Sequence, residues 1–288
     1  MLHILQAVII GIIEGITEFL PVSSTGHIVL VENLMKIPTK VEPSAQLHSF
    51  DANFWTMFSY VIQLGAIFAV IFIYFYRLNP FSGKKNLQQK KETWNLWFHV
   101  IVGVIPSVVF GLLLNDWMDE HLMNWQVVSA TLIIYGILFI VIENWNKSRH
   151  IERKNLKNMS YGLAFSIGCL QVLSLVPGTS RSGATILGSL LLGMSRIAAT
   201  EFSFFLAIPT MFGVSALKLG KFFLKGATMS GLEIMTLLTG FLVSMIVAWL
   251  VIVFLMNYLK KNNFKVFGWY RIVLGIVVII AGAFFNLF

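Results

Sequence analysis

Long apolar runs constrain this chain more than any other feature of its sequence. One helical crossing of a bilayer core about 30 Å thick needs about 20 apolar residues. Five runs reach that length, at 54–76, 96–115, 125–145, 232–258 and 267–288. A sixth run, 197–219, contains Pro209 and carries Glu201 near its start but is otherwise apolar, so we count it as a kinked span. The sequence therefore predicts an all-α integral membrane protein with six transmembrane helices.

The composition supports this class and excludes a soluble globule. Hydrophobic residues make up 57% of the chain and charged residues 12%, about half the roughly 25% charged fraction of ordinary soluble domains. The net charge is +8, but the positive residues cluster in short links between the apolar runs. That pattern reports orientation in a bilayer, so we expect membrane lipid around the chain and no nucleic-acid partner.

Two further apolar regions, 1–36 and 160–194, are interrupted by polar residues. The first is interrupted by Glu14, Glu18 and Pro21, followed by a Ser/Thr run, and the second contains Pro177, followed by a similar run. Neither half of either region is long enough to cross a bilayer. We predict that both regions are re-entrant helical hairpins, which enter the membrane and turn back.

The two hairpins are similar enough in sequence to suggest an internal repeat. Placing Pro21 over Pro177 puts Ser24 over Ser180, and three spans follow each hairpin. An odd number of crossings per unit inserts the second copy upside down, which is the inverted-topology plan of many transporters. These features predict one membrane domain, 1–288, built from inverted repeats at 1–146 and 147–288.

The charges of the links predict the orientation. Three links are basic and one is acidic: 77–92, 146–158 and 260–265 against 116–120. Six spans place all three basic links on one side, which is the cytoplasmic side by the positive-inside rule. Lys221 and Lys225 fall on the outer side and count against this assignment. The first hairpin would then enter from outside and the second from inside, with their turns meeting near mid-membrane.

Glu14 and Glu18 lie inside the first interrupted region, where ionisable residues are costly. Their spacing of four residues places both carboxylates on one helical face, where like charges repel unless a cation, an arginine or a shared proton intervenes. Alternatively, Glu18 lies near the interface in water and Glu14 forms a structural hydrogen bond. The rarity of intramembrane carboxylates favours a functional role for the pair.

The residues after each proline predict an anion site. Ser/Thr residues are natural N-caps, so a new helix should start after Pro21 and after Pro177. Two helix N-termini that meet would direct amide hydrogens and positive dipole ends at one place, where phosphate commonly binds. The guanidinium of Arg181 would bind phosphate oxygens bidentately, or else form an ion pair with Glu14 or Glu18.

Other polar groups accompany these residues. His27 lies three residues after Ser24 on the same predicted helix face and is suited to proton transfer near neutral pH. Ser23 and Ser24 carry hydroxyls that a base would activate. Further donors of the second turn are the hydroxyls of Ser180, Ser182 and Thr185.

Gln63 and Glu201 are weaker candidates. Gln63 lies within a predicted span, where an amide more often joins helices than binds substrate. Glu201 opens another span and is also typical of an acidic residue in a first helical turn.

Two motifs, 14–27 (EGITEFLPVSSTGH) and 177–185 (PGTSRSGAT), resemble the signature motifs of bacterial undecaprenyl-diphosphate phosphatase, a family also called bacitracin resistance protein. The likeness extends to 61–65 (VIQLG) and 201–204 (EFSF) and covers essentially the whole chain.

The resemblance implies hydrolysis of undecaprenyl diphosphate to undecaprenyl phosphate and inorganic phosphate, which recycles the lipid carrier for peptidoglycan synthesis and confers bacitracin resistance. It also implies paired re-entrant hairpins in an inverted repeat, a bacterial cytoplasmic-membrane location, and a site open to the extracytoplasmic side. A divalent cation, commonly Mg²⁺ with Ca²⁺ as an alternative, would bind at Glu14 and Glu18. The oligomeric state stays open, with a homodimer as one option.

By matching position, the resemblance assigns catalytic roles to Glu14, Glu18, Ser24, His27 and Arg181, with Ser180 and Thr185 completing a phosphate clamp. The further substrate-binding candidates are Ser23, Thr25, Gly178, Ser182, Gln63 and Glu201.

Two reaction schemes and one rival class remain open at this point. Ser24, activated by His27 or a carboxylate, would attack the terminal phosphorus, or a base-activated water would attack while Ser24 donates a hydrogen bond. A transporter or flippase for a phosphorylated lipid or an anion would use the same pocket without a nucleophile, because a fold does not fix a function.

Overall fold

A computed structural model describes residues 2–37, 50, 52–148, 154–224 and 229–285. Over these residues the secondary structure is helical, and the β-type pairing recorded there is an isolated bridge between Lys154 and Met194. In chain order, the α-helices of this part of the chain are α1 (Leu2–Thr17), α2 (Ser24–Leu34), α3 (Ala52–Ile73), α4 (Phe75–Leu78), α5 (Leu87–Leu122), α6 (Trp125–Ser148), α7 (Tyr161–Gln171), α8 (Arg181–Leu191), α9 (Arg196–Leu224), α10 (Gly231–Leu259) and α11 (Lys265–Phe285).

Six of the described helices are long and apolar enough to cross a membrane, so the prediction of six spans is confirmed: α3, α5, α6, α9, α10 and α11. The helices extend beyond several of the predicted bounds. For example, α5 begins at Leu87 instead of residue 96. A capping box starts it early, because the Asn86 side chain accepts from the Gln89 N–H at 2.8 Å and the Gln89 side chain accepts from the Asn86 N–H at 3.1 Å. Helix α9 continues through Pro209, and the kink predicted there stays a prediction.

Some predicted features lie outside the described residues. They are Met1 of the first hairpin, Arg149 and Arg153 of the second basic link, Lys225, and residues 286–288 of the last span.

Glycines allow the closest helix contacts. A Cβ added at Gly11 of α1 would lie 2.8 Å from the Gly240 carbonyl of α10. Gly168 of α7 meets the Gly103 backbone of α5 even more tightly. Helices α1 and α10 therefore pack backbone to backbone, as do α7 and α5.

The packing joins the two halves of the chain. Helix α3 lies against α9 and α10, α9 also lies against α5, and α6 lies along α11. The short helices α2 and α8 contact α11 and α6, respectively. This arrangement encloses the two turns that precede α2 and α8.

Burial follows the pattern of a membrane protein. Phe202, Phe204 and Phe205 of α9 are fully buried in the core. By contrast, Leu113 of α5 is 72% exposed and Phe254 of α10 is 58% exposed. Apolar side chains on outward faces of long apolar helices are suited to lipid.

Candidate active site

The turns before α2 and α8 share one unusual backbone conformation. Their N-cap residues, Ser23 and Ser180, adopt φ values of 73° and 71°, which lie in the left-handed region that non-glycine residues rarely occupy. The Ser23 hydroxyl accepts from the Gly26 N–H at 3.4 Å, and the Ser180 hydroxyl accepts from the Gly183 N–H at 3.2 Å. The two helices thus begin in the same way.

This geometry corrects the predicted register of the repeat. Placing Ser24 over Ser180 is wrong by one residue, because Ser23 is the residue that caps α2. The first turn has one residue fewer between its proline and its cap than the second. The structural equivalents are Ser23 with Ser180, and Ser24 with Arg181, each pair at the same position of its helix.

The Glu18 carboxylate joins the two turns. Ser24 Oγ donates to Glu18 Oε2 at 3.0 Å, and Arg181 Nη2 donates to Glu18 Oε1 at 3.1 Å. Glu18 is 5% exposed. The predicted ion pair of Arg181 with one of the two glutamates is therefore confirmed for Glu18, and it brings together the first residues of α2 and α8.

Glu14 lies one helical turn before Glu18 and is fully buried. Neither of its carboxylate oxygens has a hydrogen-bond donor among the described residues, and the Glu18 carboxylate lies close enough to share a proton with it. The charged groups that act on it are Glu18, Arg181 and Glu32. A buried carboxylate without a donor is costly, so this position requires a proton, a cation or a ligand.

A second contact fixes the Arg181 guanidinium from α9. Its Nη1 donates to the Ser203 carbonyl at 2.8 Å, while the Ser203 hydroxyl and the Thr185 hydroxyl lie 2.6 Å apart. The Arg181 side chain is 12% exposed. The guanidinium is thus held between the first turn and α9, with Thr185 of its own helix supporting the α9 contact.

The second turn is also tied to the first through Ser182. Its hydroxyl donates to the Leu20 carbonyl at 3.2 Å and lies 3.1 Å from the Ser180 hydroxyl. Gly178 has a φ of 85°, and a Cβ there would meet Thr131 and the Val128 backbone. Gly178 therefore has a steric role in shaping this turn.

His27 faces α11. Its Nδ1 lies 2.7 Å from the Ser23 carbonyl, and its Nε2 lies 2.7 Å from the Tyr270 hydroxyl. Because a carbonyl only accepts, Nδ1 carries a proton, and in the neutral ring Nε2 would accept from Tyr270. The two rings also stack with an interplanar angle of 9°. The prediction that His27 activates Ser24 stays untested by this geometry.

Among the described residues, three other candidates form no hydrogen bond or ion pair with Glu18 or Arg181. Thr25 follows Ser24 on α2 and is partly buried, and Gln63 is partly buried on α3. Within the described residues, neither side chain forms a hydrogen bond to Glu18 or Arg181. Glu201 forms an ion pair at 2.8 Å with Arg77, which lies in the last turn of α4.

Sequence reasoning missed three residues that contact the site: Ser203 and Tyr270, and also Arg271, whose guanidinium donates to the Pro21 and Gly178 carbonyls of the two turns. Ser203 lies in an apolar run and contributes partly through its backbone, so its type gives no signal. Arg271 is an arginine inside a predicted span, which is itself a signal of function, but the basic residues around it resemble an ordinary span end. Which face of α11 points inward is decided by packing.

The fold and the site define a multi-pass helical membrane protein with an acid–arginine cluster between the N-termini of two short helices. The chain belongs to the bacitracin resistance protein BacA family, whose model matches residues 7–277. The resemblance seen in the motifs is therefore confirmed.

Several curated relatives are similar over nearly their full length. An undecaprenyl-diphosphatase of Lactiplantibacillus plantarum is 60% identical over 97% of this chain and 98% of its own. One from Limosilactobacillus fermentum is 58% identical over 97% of both chains. One from Enterococcus faecalis is 53% identical over 95% of both chains.

Proposed function

We propose that this protein hydrolyses undecaprenyl diphosphate to undecaprenyl phosphate and inorganic phosphate. This recycles the lipid carrier for peptidoglycan synthesis and confers resistance to bacitracin. The relatives named undecaprenyl-diphosphatase, at 53–60% identity, support the substrate. The observation that carries the chemistry is the Glu18 carboxylate, bound at once by Ser24 and Arg181 from two helix N-termini.

We infer that α1–α2 and α7–α8 are re-entrant hairpins. With 16, 11, 11 and 11 residues at about 1.5 Å per residue, each helix is shorter than a bilayer core of about 30 Å. Three long helices follow each pair, so the second half would be inverted. The matching left-handed caps support this repeat. The helix contacts support it too: α5 and α10 are the second long helices of the two halves, and α1 packs on α10 just as α7 packs on α5.

The terminal phosphate of the substrate would bind between α2 and α8. The first N–H groups of a helix lack intrahelical partners, and the dipoles of both helices favour negative charge here. Arg181 would exchange part of its contact with Glu18 for the phosphate oxygens, because a guanidinium grips phosphate bidentately. The transferring group is thereby stabilised where negative charge spreads over its oxygens.

Ser24 is the proposed nucleophile, with Glu18 as its base. Ser24 Oγ already donates to Glu18 Oε2 at 3.0 Å, so Glu18 is placed to take the hydroxyl proton. The Ser24 oxygen forms a bond to the terminal phosphorus, and the bridging P–O bond breaks with undecaprenyl phosphate as leaving group. Water then cleaves the phosphoserine, which releases inorganic phosphate and restores Ser24. The alternative scheme has water attack the substrate directly.

The carboxylates fit a divalent cation, because the buried Glu14 oxygens lack hydrogen-bond donors among the described residues and Mg²⁺ prefers oxygen ligands. Glu14 would hold the ion with help from Glu18, and Ca²⁺ is the alternative. The described residues contain no cluster of three or more His, Cys, Asp and Glu suited to a metal, so water and substrate oxygens would complete the coordination. When bound, the ion would neutralise diphosphate charge.

The site would open to the extracytoplasmic side of the bacterial cytoplasmic membrane. The basic links 77–92 and 260–265 would then face the cytoplasm, as the positive-inside rule requires. The first turn would enter from outside, where spent lipid diphosphate is delivered.

Phosphate release from undecaprenyl diphosphate by the purified protein in detergent tests the proposal. Wild type should release one phosphate per substrate, and Glu18→Gln should lower turnover by about 10²-fold or more, as expected for a group that contacts the reacting atoms. The matched control is Glu143→Gln, which removes another buried carboxylate paired with an arginine, Arg196, at 2.6 Å. The control should lose thermal stability and keep its turnover. A folded wild type that releases no phosphate is what a transporter predicts, and it would refute the proposal.

A further inference from the structure

Arg271 of α11 is a fully buried arginine that the proposed mechanism does not use. A guanidinium inside a membrane protein is costly and calls for a specific partner. None of the ion pairs formed among the described residues includes Arg271. Its guanidinium instead lies 5.4 Å from the centre of the Tyr135 ring and contacts backbone carbonyls.

Those carbonyls belong to both turns of the active site. Nη1 donates to the Pro21 carbonyl of the first turn at 3.3 Å. Nη2 donates to the Gly178 and Thr179 carbonyls of the second turn at 2.9 and 3.0 Å. Because the nitrogens of a guanidinium form a rigid planar fork, one side chain fixes the position of one turn relative to the other.

The same contacts set the direction of a peptide group at the start of α8. In a trans peptide the N–H points opposite to the carbonyl, so holding the Thr179 carbonyl also orients the Ser180 N–H away from Arg271. The guanidinium packs tightly here, since a Cβ added at Gly183 would lie 3.0 Å from Nη1. Gly183 therefore leaves room for this approach, and a methyl group there would require the guanidinium to shift.

The charges of the two buried arginines are balanced differently. Arg181 is paired with Glu18, whereas Arg271 meets carbonyl dipoles and an aromatic ring, which carry no net charge. A positive charge thus remains behind the N-termini of α2 and α8. An anion bound between these termini would supply the missing negative charge.

We propose that Arg271 is a positioning residue that holds the two turns at the separation required by one diphosphate and supplies an uncompensated positive charge that favours the bound anion. This inference rests on the proposed function. It assigns two separable contributions, a geometric one through the fork and an electrostatic one through the charge. Lysine keeps the charge without the fork, and glutamine keeps hydrogen-bond donors without the charge.

The test measures kcat, KM and competitive inhibition by inorganic phosphate for Arg271→Lys and Arg271→Gln. Arg271→Lys should lower kcat about tenfold, since one charge-assisted contact is lost, while the inhibition constant for phosphate changes less than about threefold. Arg271→Gln should lower kcat and also raise that inhibition constant about tenfold. A merely structural arginine would not separate these two readouts.

Gly183→Ala gives a second route if Arg271→Gln does not fold. The added methyl group presses on Nη1 without removing the charge, so kcat should fall while phosphate inhibition stays near the wild-type value. The matched control is Arg196→Gln, which removes an arginine paired with Glu143 and should change thermal stability without changing KM or phosphate inhibition.

The inference is overturned if folded Arg271→Gln keeps both kcat and phosphate inhibition within twofold of wild type, or if Gly183→Ala leaves kcat unchanged. It is also overturned if Arg271→Lys and Arg271→Gln weaken phosphate binding equally. Phosphate release by wild type in the same assay tests the proposed function separately, because wild-type activity with inert Arg271 variants would refute this inference alone.

Discussion

Replacing Arg181 with lysine tests whether the site needs the two separate donor groups of a planar guanidinium or only a positive charge. The Arg181 guanidinium contacts Glu18 through Nη2 at 3.1 Å and the Ser203 carbonyl through Nη1 at 2.8 Å. A lysine ammonium is a compact charge on a flexible stem and would keep one of these contacts. With the Arg181 side chain 12% exposed, water has little access to replace the other.

The expected loss follows from the contact removed. A hydrogen bond to a charged group contributes about 1.5–3 kcal/mol, and about 1.4 kcal/mol corresponds to tenfold in rate. Arg181→Lys should therefore lower kcat/KM roughly 10- to 150-fold. The assay is phosphate release from undecaprenyl diphosphate below KM, with thermal unfolding measured on the same samples.

Arg196→Lys is the matched control. Arg196 also forms a fork, with contacts to Glu143 at 2.8 and 2.6 Å, but it lies outside the two turns. It should lose stability and retain kcat/KM. If folded Arg181→Lys stays within twofold of wild type, a point charge is sufficient and the reasoning from the fork is wrong.

Four further substitutions test other parts of the site. Ser24→Ala should lower turnover about 10³-fold and abolish a phosphoserine trapped by acid quench; near-normal turnover would favour direct attack by water. Glu14→Gln should raise the Mg²⁺ concentration for half-maximal phosphate release about tenfold, because a carboxylate ligand is lost; an unchanged titration would remove Glu14 from the metal site. Tyr270→Phe and His27→Ala should lower kcat by amounts that do not add in the double variant, since the two side chains share one hydrogen bond; additive effects would mean that they act independently.

The membrane architecture could be predicted because lipid imposes a simple requirement on length and polarity. All six spans follow from apolar runs. Their ends were less predictable, because hydrophobicity does not mark where hydrogen bonding stops. Helix α5 continues well into polar sequence because Asn86 and Gln89 cap it there.

The acid–arginine cluster was partly predictable from the free-energy cost of burying charged side chains. Glu18 and Arg181 lie in the two interrupted apolar regions of the chain, and pairing them relieves two unfavourable charges at once. Their contact at 3.1 Å confirms that argument. Glu201 shows the limit of this argument. It pairs with Arg77 from a basic link, and the sequence offers no means of choosing between Arg77 and Arg181 as its partner.

Contacts made through the backbone were beyond sequence reasoning. Arg271 binds carbonyls, which every residue carries, so no partner residue type points to it. Similarly, the cap of α2 is Ser23 and not Ser24 because of a left-handed backbone. Two adjacent serines are equally good caps by type, and the length of the turn decides between them.

A double-mutant cycle on Glu18 and Arg181 tests most directly whether the two turns form one catalytic unit. The measurement is kcat/KM for phosphate release by wild type, Glu18→Gln, Arg181→Lys and the double variant. Residues in direct contact should couple by about 1 kcal/mol or more, so the double variant should be at least about fivefold faster than the product of the two single losses predicts. Effects that add to within about 0.5 kcal/mol would show that the carboxylate and the guanidinium work separately, and would contradict the shared diphosphate site.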